Sequence, residues 1–185
     1  LDRLLWEGRF SPARRALWRV NVEHRALGEA RLLLATMSGN VDSAIARVPD
    51  ELKDHPGLVY ERLRWRLRKG RYDSARTLLD HPNHDEGRPD KWWTQRAALA
   101  RAALREGHVS EAYRIAAGHK LDADDVAALA EAEWLAGWTA LRFLGEPAPA
   151  MGHFITMYGS VRYPISLARA SYWAGRSAAA LNDRK

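Results

Sequence analysis

One short pattern recurs five times and constrains the fold of this chain more than any other feature of its sequence. Each copy begins with glycine and has alanine five residues later, usually with a hydrophobic and then a polar residue between them. A repeat of this kind is typical of the turn between two paired helices. The copies read GRFSPA from Gly8, GNVDSA from Gly39, GRYDSA from Gly70, GHVSEA from Gly107 and GEPAPA from Gly145.

Each position of the pattern has a physical role at such a turn. Glycine fits the left-handed backbone position just past a helix end, where other side chains clash. Ser11, Asp42, Asp73 and Ser110, three residues on, are predicted to cap the following helix, and Pro12 to take the first helical position. The alanine is expected where the paired helices come closest.

The fold class follows from the spacing of the glycines, which is 31, 31, 37 and 38 residues. This brackets the period of about 34 residues of tetratricopeptide repeats. We predict an all-α chain, an α-solenoid (superhelix) of tetratricopeptide-like antiparallel helix pairs. Residues 1–185 would form one domain of about five pairs and a final helix. The predicted helices cover about 1–7 with 12–20, 22–38 with 42–48, 56–69 with 74–79, 90–106 with 111–118, 123–144 with 148–158, and 164–181.

Composition narrows the functional classes. Hydrophobic residues make up 46% and charged residues 28% of the chain, which excludes bulk disorder. No apolar run approaches the roughly 18 residues of a membrane span, and the absence of cysteine excludes disulfides and thiolate metal sites. The net charge of +6 suits an anionic partner, although arginine also serves simply to solvate helix faces.

The sequence offers little chemistry of its own. His81, His84, Asp85 and Glu86 cluster in a predicted loop, but their spacing matches no metal-binding pattern. We therefore expect no metal, no cofactor and no catalytic residue, so this chain alone should not be an enzyme.

The acidic clusters also have structural explanations. Asp122, Asp124 and Asp125 precede a predicted helix, where negative charge is favourable. Glu131 and Glu133 should point to different sides of one helix, which is poor geometry for a pair acting on a single bond. Neither cluster predicts an active site.

Aromatic and basic residues supply the candidate binding groups. Trp92 is expected to reach the surface because it is turned about 100° from its neighbour Trp93. Together with Arg64, Arg66 and Arg68 of the run RLRWRLRKGR, Trp92 is our candidate contact for a glycan. The tryptophans predicted to pack between helices are Trp65, Trp93, Trp134, Trp138 and Trp173.

The segment RYPISLARASYWAGRSAAALND, residues 162–183, resembles the end of the superhelical region of soluble lytic murein transglycosylases. The upstream stretches LDRLLWEGRFSPARRAL, KWWTQRAALARAALREGHVSEAYRIAAGH and EAEWLAGWTALRFLG resemble the same family in the same order. The matching positions in the last segment are Arg162, Pro164, Ile165, Ser166, Ala168, Arg169, Ala170, Tyr172, Trp173, Gly175 and Arg176.

The resemblance implies a periplasmic scaffold for peptidoglycan cleavage. In that family a superhelical region precedes a domain that cleaves between N-acetylmuramic acid and N-acetylglucosamine, with a catalytic Glu-Ser pair and a later Gly-Leu-Met-Gln motif. Neither motif occurs here, so the resemblance assigns no catalytic residue to this chain. We expect this chain to be part of a longer protein whose catalytic domain lies C-terminal to it. The implied partners are that domain and the glycan strands of peptidoglycan, whose peptide carboxylates suit a basic surface.

Two other functions compete with this hypothesis. A tetratricopeptide-like adaptor would bind a protein or peptide in its groove. A nucleic-acid-binding repeat protein should carry a basic residue at one fixed repeat position to follow the phosphates. The residues after the repeat glycines are Arg, Asn, Arg, His and Glu, so no nucleic-acid partner is expected.

Overall fold

A computed structural model describes residues 1–80 and 88–182. The described residues are helical, without a β-strand, which confirms the predicted all-α class. The chain divides into two compact units, with the boundary between residues 86 and 87. Within the part of the chain that the structure describes, no helix has the length and apolar character needed to cross a bilayer.

Unit 1 contains the first three helix pairs. In this unit α3 packs on α1, α2, α4 and α5, and α5 packs on α6. The main core cluster joins α3, α4 and α5 through residues such as Leu34, Val41 and Leu58, with Trp65 packed against it. The helices are α1 (Asp2–Trp6), α2 (Phe10–Ala16), α3 (Val22–Ala35), α4 (Val41–Ala46), α5 (Pro56–Arg68) and α6 (Tyr72–Arg76).

Unit 2 contains the remaining helices. Here α8 packs on α7 and α9, while α10 packs on α9 and α11. Phe154 and Ala150 form the centre of a core cluster that Trp134, Trp138 and Trp173 surround. The helices are α7 (Pro89–Arg105), α8 (Val109–Ala117), α9 (Val126–Thr139), which continues as a π-helical segment over Ala140–Leu144, α10 (Pro147–Ser160) and α11 (Pro164–Asn182).

The repeated alanine is buried at every joint, as predicted. Its exposed fraction is 0% or 1% in all five copies. Because a larger side chain would push the paired helices apart, alanine sets how closely they approach. The five residues are Ala13, Ala44, Ala75, Ala112 and Ala150.

Four of the five repeat glycines adopt the predicted left-handed conformation, and one does not. Gly8, Gly70, Gly107 and Gly145 have φ between 68° and 81°. The prediction is wrong for Gly39, because that turn has two other left-handed residues: Met37, with φ of 56°, just past the cap of α3, and Asn40, with φ of 60°, at the cap of α4. Asparagine tolerates this region better than most residues. Met37 takes the position that glycine takes after α1, α5 and α7, so α3 ends before Gly39 is reached.

The predicted helix caps are also wrong. In the four turns with a left-handed glycine, the residue after the glycine donates a hydrogen bond back to the preceding helix and is also the cap residue of the next one. At Gly70, for example, the Arg71 N–H donates to the Arg66 carbonyl at 2.9 Å, while Arg71 occupies the cap position of α6. The next helix therefore starts two residues after the glycine. This puts the predicted capping residues inside the first turn: Ser11, Asp42, Asp73 and Ser110 at its second position and Pro12 at its third.

The predicted core tryptophans are confirmed. Trp93 is buried, Trp65 packs against the core of unit 1, and Trp134, Trp138 and Trp173 pack against that of unit 2. Trp134 and Trp138 stack with their ring centroids 5.5 Å apart. Their role is to fill the space between helices.

Candidate functional site

Trp92, predicted to be exposed, is fully buried, with an exposed fraction of 0%. The expectation that it contacts a glycan from the surface is therefore wrong. Helix α7 buries two adjacent stripes: Trp93, Ala97 and Ala100 form the predicted one, while Trp92 and Leu99 belong to the second. Because α7 is buried over a wide arc, a residue turned about 100° from Trp93 is buried as well.

The arginines predicted as glycan contacts lie on α5, and each of them is hydrogen-bonded within unit 1. Arg64 donates from Nη1 to both carboxylate oxygens of Glu61, at 2.9 and 3.1 Å. Burial raises the pKa of Glu61, and the Arg64 guanidinium opposes that effect. Arg68 donates from Nη1 to the Ala35 carbonyl at 3.4 Å and so joins α5 to α3.

Arg66 lies in a groove that we call the basic groove, defined by Lys53, Arg62, Trp65, Arg66 and Arg71. The groove encloses about 370 Å³. Four cationic side chains and one aromatic ring thus line the same groove. The apolar residues of the lining are Leu34, Val41, Ile45 and Ala46, and its acidic residue is Asp42.

The positive charges of the basic groove act on one another. Burial lowers the pKa of Arg66, and the nearby Arg62 and Arg71 lower it further. The Arg71 guanidinium lies 5.1 Å from the Trp65 ring centroid, within the range of a cation–π contact. Arg66 also donates to the Ser74 carbonyl, which fixes its side chain. A bound anion would relieve this repulsion, so the groove is suited to anionic ligands.

Unit 2 has a larger groove, which we call the aromatic groove, defined by Val126, Trp134, Arg162, Tyr163 and Arg169. It encloses about 780 Å³ between α9 and the connection from α10 to α11. The Arg169 guanidinium lies 5.8 Å from the Trp134 ring centroid, and Tyr163 is 77% exposed. Two arginines and two aromatic rings thus line a mainly apolar groove.

The predicted histidine and acidic loop cluster of His81, His84, Asp85 and Glu86 lies outside the described residues. Among the residues that are described, no group of three or more histidine, aspartate or glutamate side chains has the arrangement of a metal site.

Glu133 forms the centre of a buried polar network in unit 2 that the sequence did not predict. Its Oε1 lies 3.3 Å from His119 Nε2, and its Oε2 lies 2.6 Å from His153 Nδ1. His119 Nδ1 accepts the Leu121 N–H at 2.9 Å, so its other ring nitrogen carries the proton toward Glu133. The Tyr113 hydroxyl lies 3.2 Å from His153 Nε2.

The electrostatics of this network suit a structural role. Burial alone would raise the pKa of Glu133, but hydrogen bonds from His119 and His153 lower it to about 2. Burial and the Glu133 charge raise the pKa of Tyr113, so its hydroxyl remains protonated and is a poor nucleophile. The carboxylate joins α9, α10 and the segment after α8.

Glu131 and Glu133 point to different sides of α9, as predicted. Glu131 accepts hydrogen bonds from Trp93 Nε1 at 3.0 Å and from Arg101 Nη2 at 2.5 Å. An acidic residue also caps the start of α9, as predicted: Asp125 accepts the Ala128 N–H at 3.0 Å. These carboxylates stabilise unit 2.

The sequence contained a partial signal for the basic groove and none for the network. Arg62 and Arg66 are four residues apart on one helix, so the pattern could have shown that they share a face. Glu133, in contrast, meets His119 and His153 across 14 and 20 residues of sequence. No local periodicity encodes such contacts.

Comparison of the chain with protein-family models, curated proteins and solved structures found no match.

Proposed function

We propose that this chain is a non-catalytic superhelical scaffold region of a periplasmic peptidoglycan lytic transglycosylase. A separate C-terminal domain would cleave the glycan, while the basic groove holds an anionic strand. The observation that carries the proposal is the groove itself, which Lys53, Arg62, Arg66 and Arg71 line together with Trp65. The resemblance of residues 162–183 to that family supports the same function.

The finer fold that this proposal requires is a solenoid of tetratricopeptide-like pairs. Contacts between alternate helices support it: α3 packs on both α1 and α5, and α9 packs on both α7 and α11. Stacking of alternate helices is what a row of helix pairs produces. The buried alanine at each joint allows the helices of a pair to approach closely.

The groove has the chemistry that a peptidoglycan strand requires. Carboxylates of the stem peptides would pair with Arg62 and Arg71, whose guanidinium groups can bind both oxygens of a carboxylate. The Trp65 ring offers an apolar face beside them. Because an anion would offset the repulsion among the arginines, binding should weaken as salt is added.

Pelleting with purified sacculi tests the proposal. The double variant Arg62→Gln with Arg71→Gln should bind about tenfold more weakly than wild type, since two partly screened ion pairs each contribute up to about 1 kcal/mol. The control variant, Arg14→Gln with Arg15→Gln, removes the same charge from the exposed surface of α2 and should bind nearly as wild type does. Wild-type chain that remains in the supernatant at moderate salt, or equal losses in both variants, would refute the proposal.

A tetratricopeptide-like adaptor is the second candidate, and the aromatic groove favours it. A mainly apolar groove with Arg162 and Arg169 at its edge suits an extended peptide that ends in a carboxylate. Peptides selected from a displayed library that bind wild type but not Arg169→Glu would support this function. No loss of peptide binding in that variant would argue against it.

A further inference from the structure

Arg31 of α3 is a buried cation whose hydrogen-bonding capacity is only partly used. Its exposed fraction is 1%. Nη1 donates to Asp2 Oδ1 at 2.5 Å, while Nε and Nη2 have no hydrogen-bond partner in the structure. Buried donors of a charged group are nearly always satisfied in folded proteins, so these two nitrogens point to a ligand.

Two carboxylates offset the Arg31 charge in part: Asp2, to which it is bonded, and the buried Glu61, whose pKa the Arg31 charge lowers. Its guanidinium lies against Gly57, where a β-carbon would overlap it, so glycine is required for the approach. Gly57 is the second residue of α5, and the N-terminal end of a helix carries partial positive charge. The Trp6 ring, 5.4 Å away, offers some compensation through its π face. An anion at this position would interact favourably with both the guanidinium and the helix end.

Arg31 lines a cavity of about 190 Å³ in unit 1. His55, which also lines it, accepts the Gly57 N–H at its Nδ1 (3.1 Å), so its Nε2 is the remaining donor of the neutral ring. Burial lowers the pKa of His55, and the Arg31 charge lowers it further. The apolar walls of the cavity are Leu1, Leu5, Val20 and Leu27.

We infer that this cavity binds a small aliphatic carboxylate through Arg31. The unpaired Nε and Nη2 lie on one edge of the guanidinium, and this edge binds both oxygens of a carboxylate with parallel hydrogen bonds. The cavity is smaller than the 300–1,000 Å³ typical of drug-sized ligands, and its apolar walls suit a short hydrocarbon chain. Because Asp2 and Glu61 already offset part of the Arg31 charge, a monoanion matches the site better than a dianionic phosphate.

This inference is independent of the proposed glycan binding, since the cavity and the basic groove share no lining residue. It is tested by titrating the 185-residue chain with propionate and following the Trp6 indole and Gly57 amide resonances by NMR. Propionamide, which has the same shape without the charge, and inorganic phosphate are the comparison ligands. Saturable shifts with propionate and none with propionamide are expected. Equal shifts with both, or tighter binding of phosphate, would overturn the inference.

Two substitutions should change propionate affinity in opposite directions. Arg31→Gln removes the cation and should weaken binding at least tenfold. Asp2→Asn removes the competing carboxylate and should strengthen binding severalfold; this side chain is 56% exposed, so the variant is expected to fold even if the first does not. Asp73→Asn, at an exposed carboxylate of the same unit, is the matched control. Weaker binding in Asp2→Asn would refute a site built on Arg31.

Discussion

Replacing Glu133 with glutamine tests whether the buried carboxylate network holds unit 2 together. The side chain keeps its shape in Glu133→Gln but loses its charge, and an amide NH₂ group then faces one of the two histidine donors. The pKa of the carboxyl falls from an ordinary 4.5 to about 2 in the folded chain. At about 1.4 kcal/mol for each pKa unit, the ionised form stabilises the fold by about 3 kcal/mol.

The dependence on pH follows from the direction of this change. Since the pKa of Glu133 is lower in the folded chain, its stabilisation is complete above the unfolded-state pKa and disappears as pH falls toward the folded-state pKa. The free-energy difference between wild type and Glu133→Gln should be about 3 kcal/mol at pH 5 and should shrink by about 2 kcal/mol at pH 3. The glutamine variant lacks this titration, so the comparison isolates one group.

Urea unfolding followed by circular dichroism and tryptophan fluorescence gives the measurement. With a slope of about 2 kcal/mol per molar urea, the midpoint should move by about 1.5 M at pH 5. Glu131→Gln is the control on the same helix: its carboxylate is 45% exposed in its pair with Arg101, and such pairs contribute at most about 1 kcal/mol. A difference for Glu133→Gln that is below 0.5 kcal/mol, or the same at pH 5 and pH 3, would refute the reasoning.

The turns and joints provide two further predictions, both measurable by urea unfolding. Gly70→Ala places a β-carbon on a residue with φ of +68° and should lower the free energy of unfolding by about 1 kcal/mol or more. Gly39 lies in open space outside the left-handed region, so Gly39→Ala should change stability by less than about 0.5 kcal/mol. Equal effects of the two variants would contradict the assignment of the turns. Ala112→Leu overfills the fully buried joint of α8 and should cost about 1–3 kcal/mol, so an unchanged midpoint would mean that the helices can separate there without cost.

The sequence by itself determined the helical class and most of the joints. Glycine is nearly obligatory at a left-handed helix end, and alanine fits where helices touch, so both leave a local signal at Gly8 and Ala13, for example. The same local reasoning placed the caps two residues too late, because the residue directly after the glycine already caps the next helix. It also placed a left-handed residue at Gly39, whereas Met37 and Asn40 take that conformation there.

Tertiary structure alone decided which polar and aromatic groups come together. Trp92 was expected at the surface from its angle on α7, but helical angle says nothing about how many sides of a helix are covered. Glu133 meets its histidines, and Arg31 meets Gly57, only because separate helices pack side by side. Burial and electrostatic contacts depend on distances in space between residues far apart in the chain, and periodicity along one helix carries no information about them.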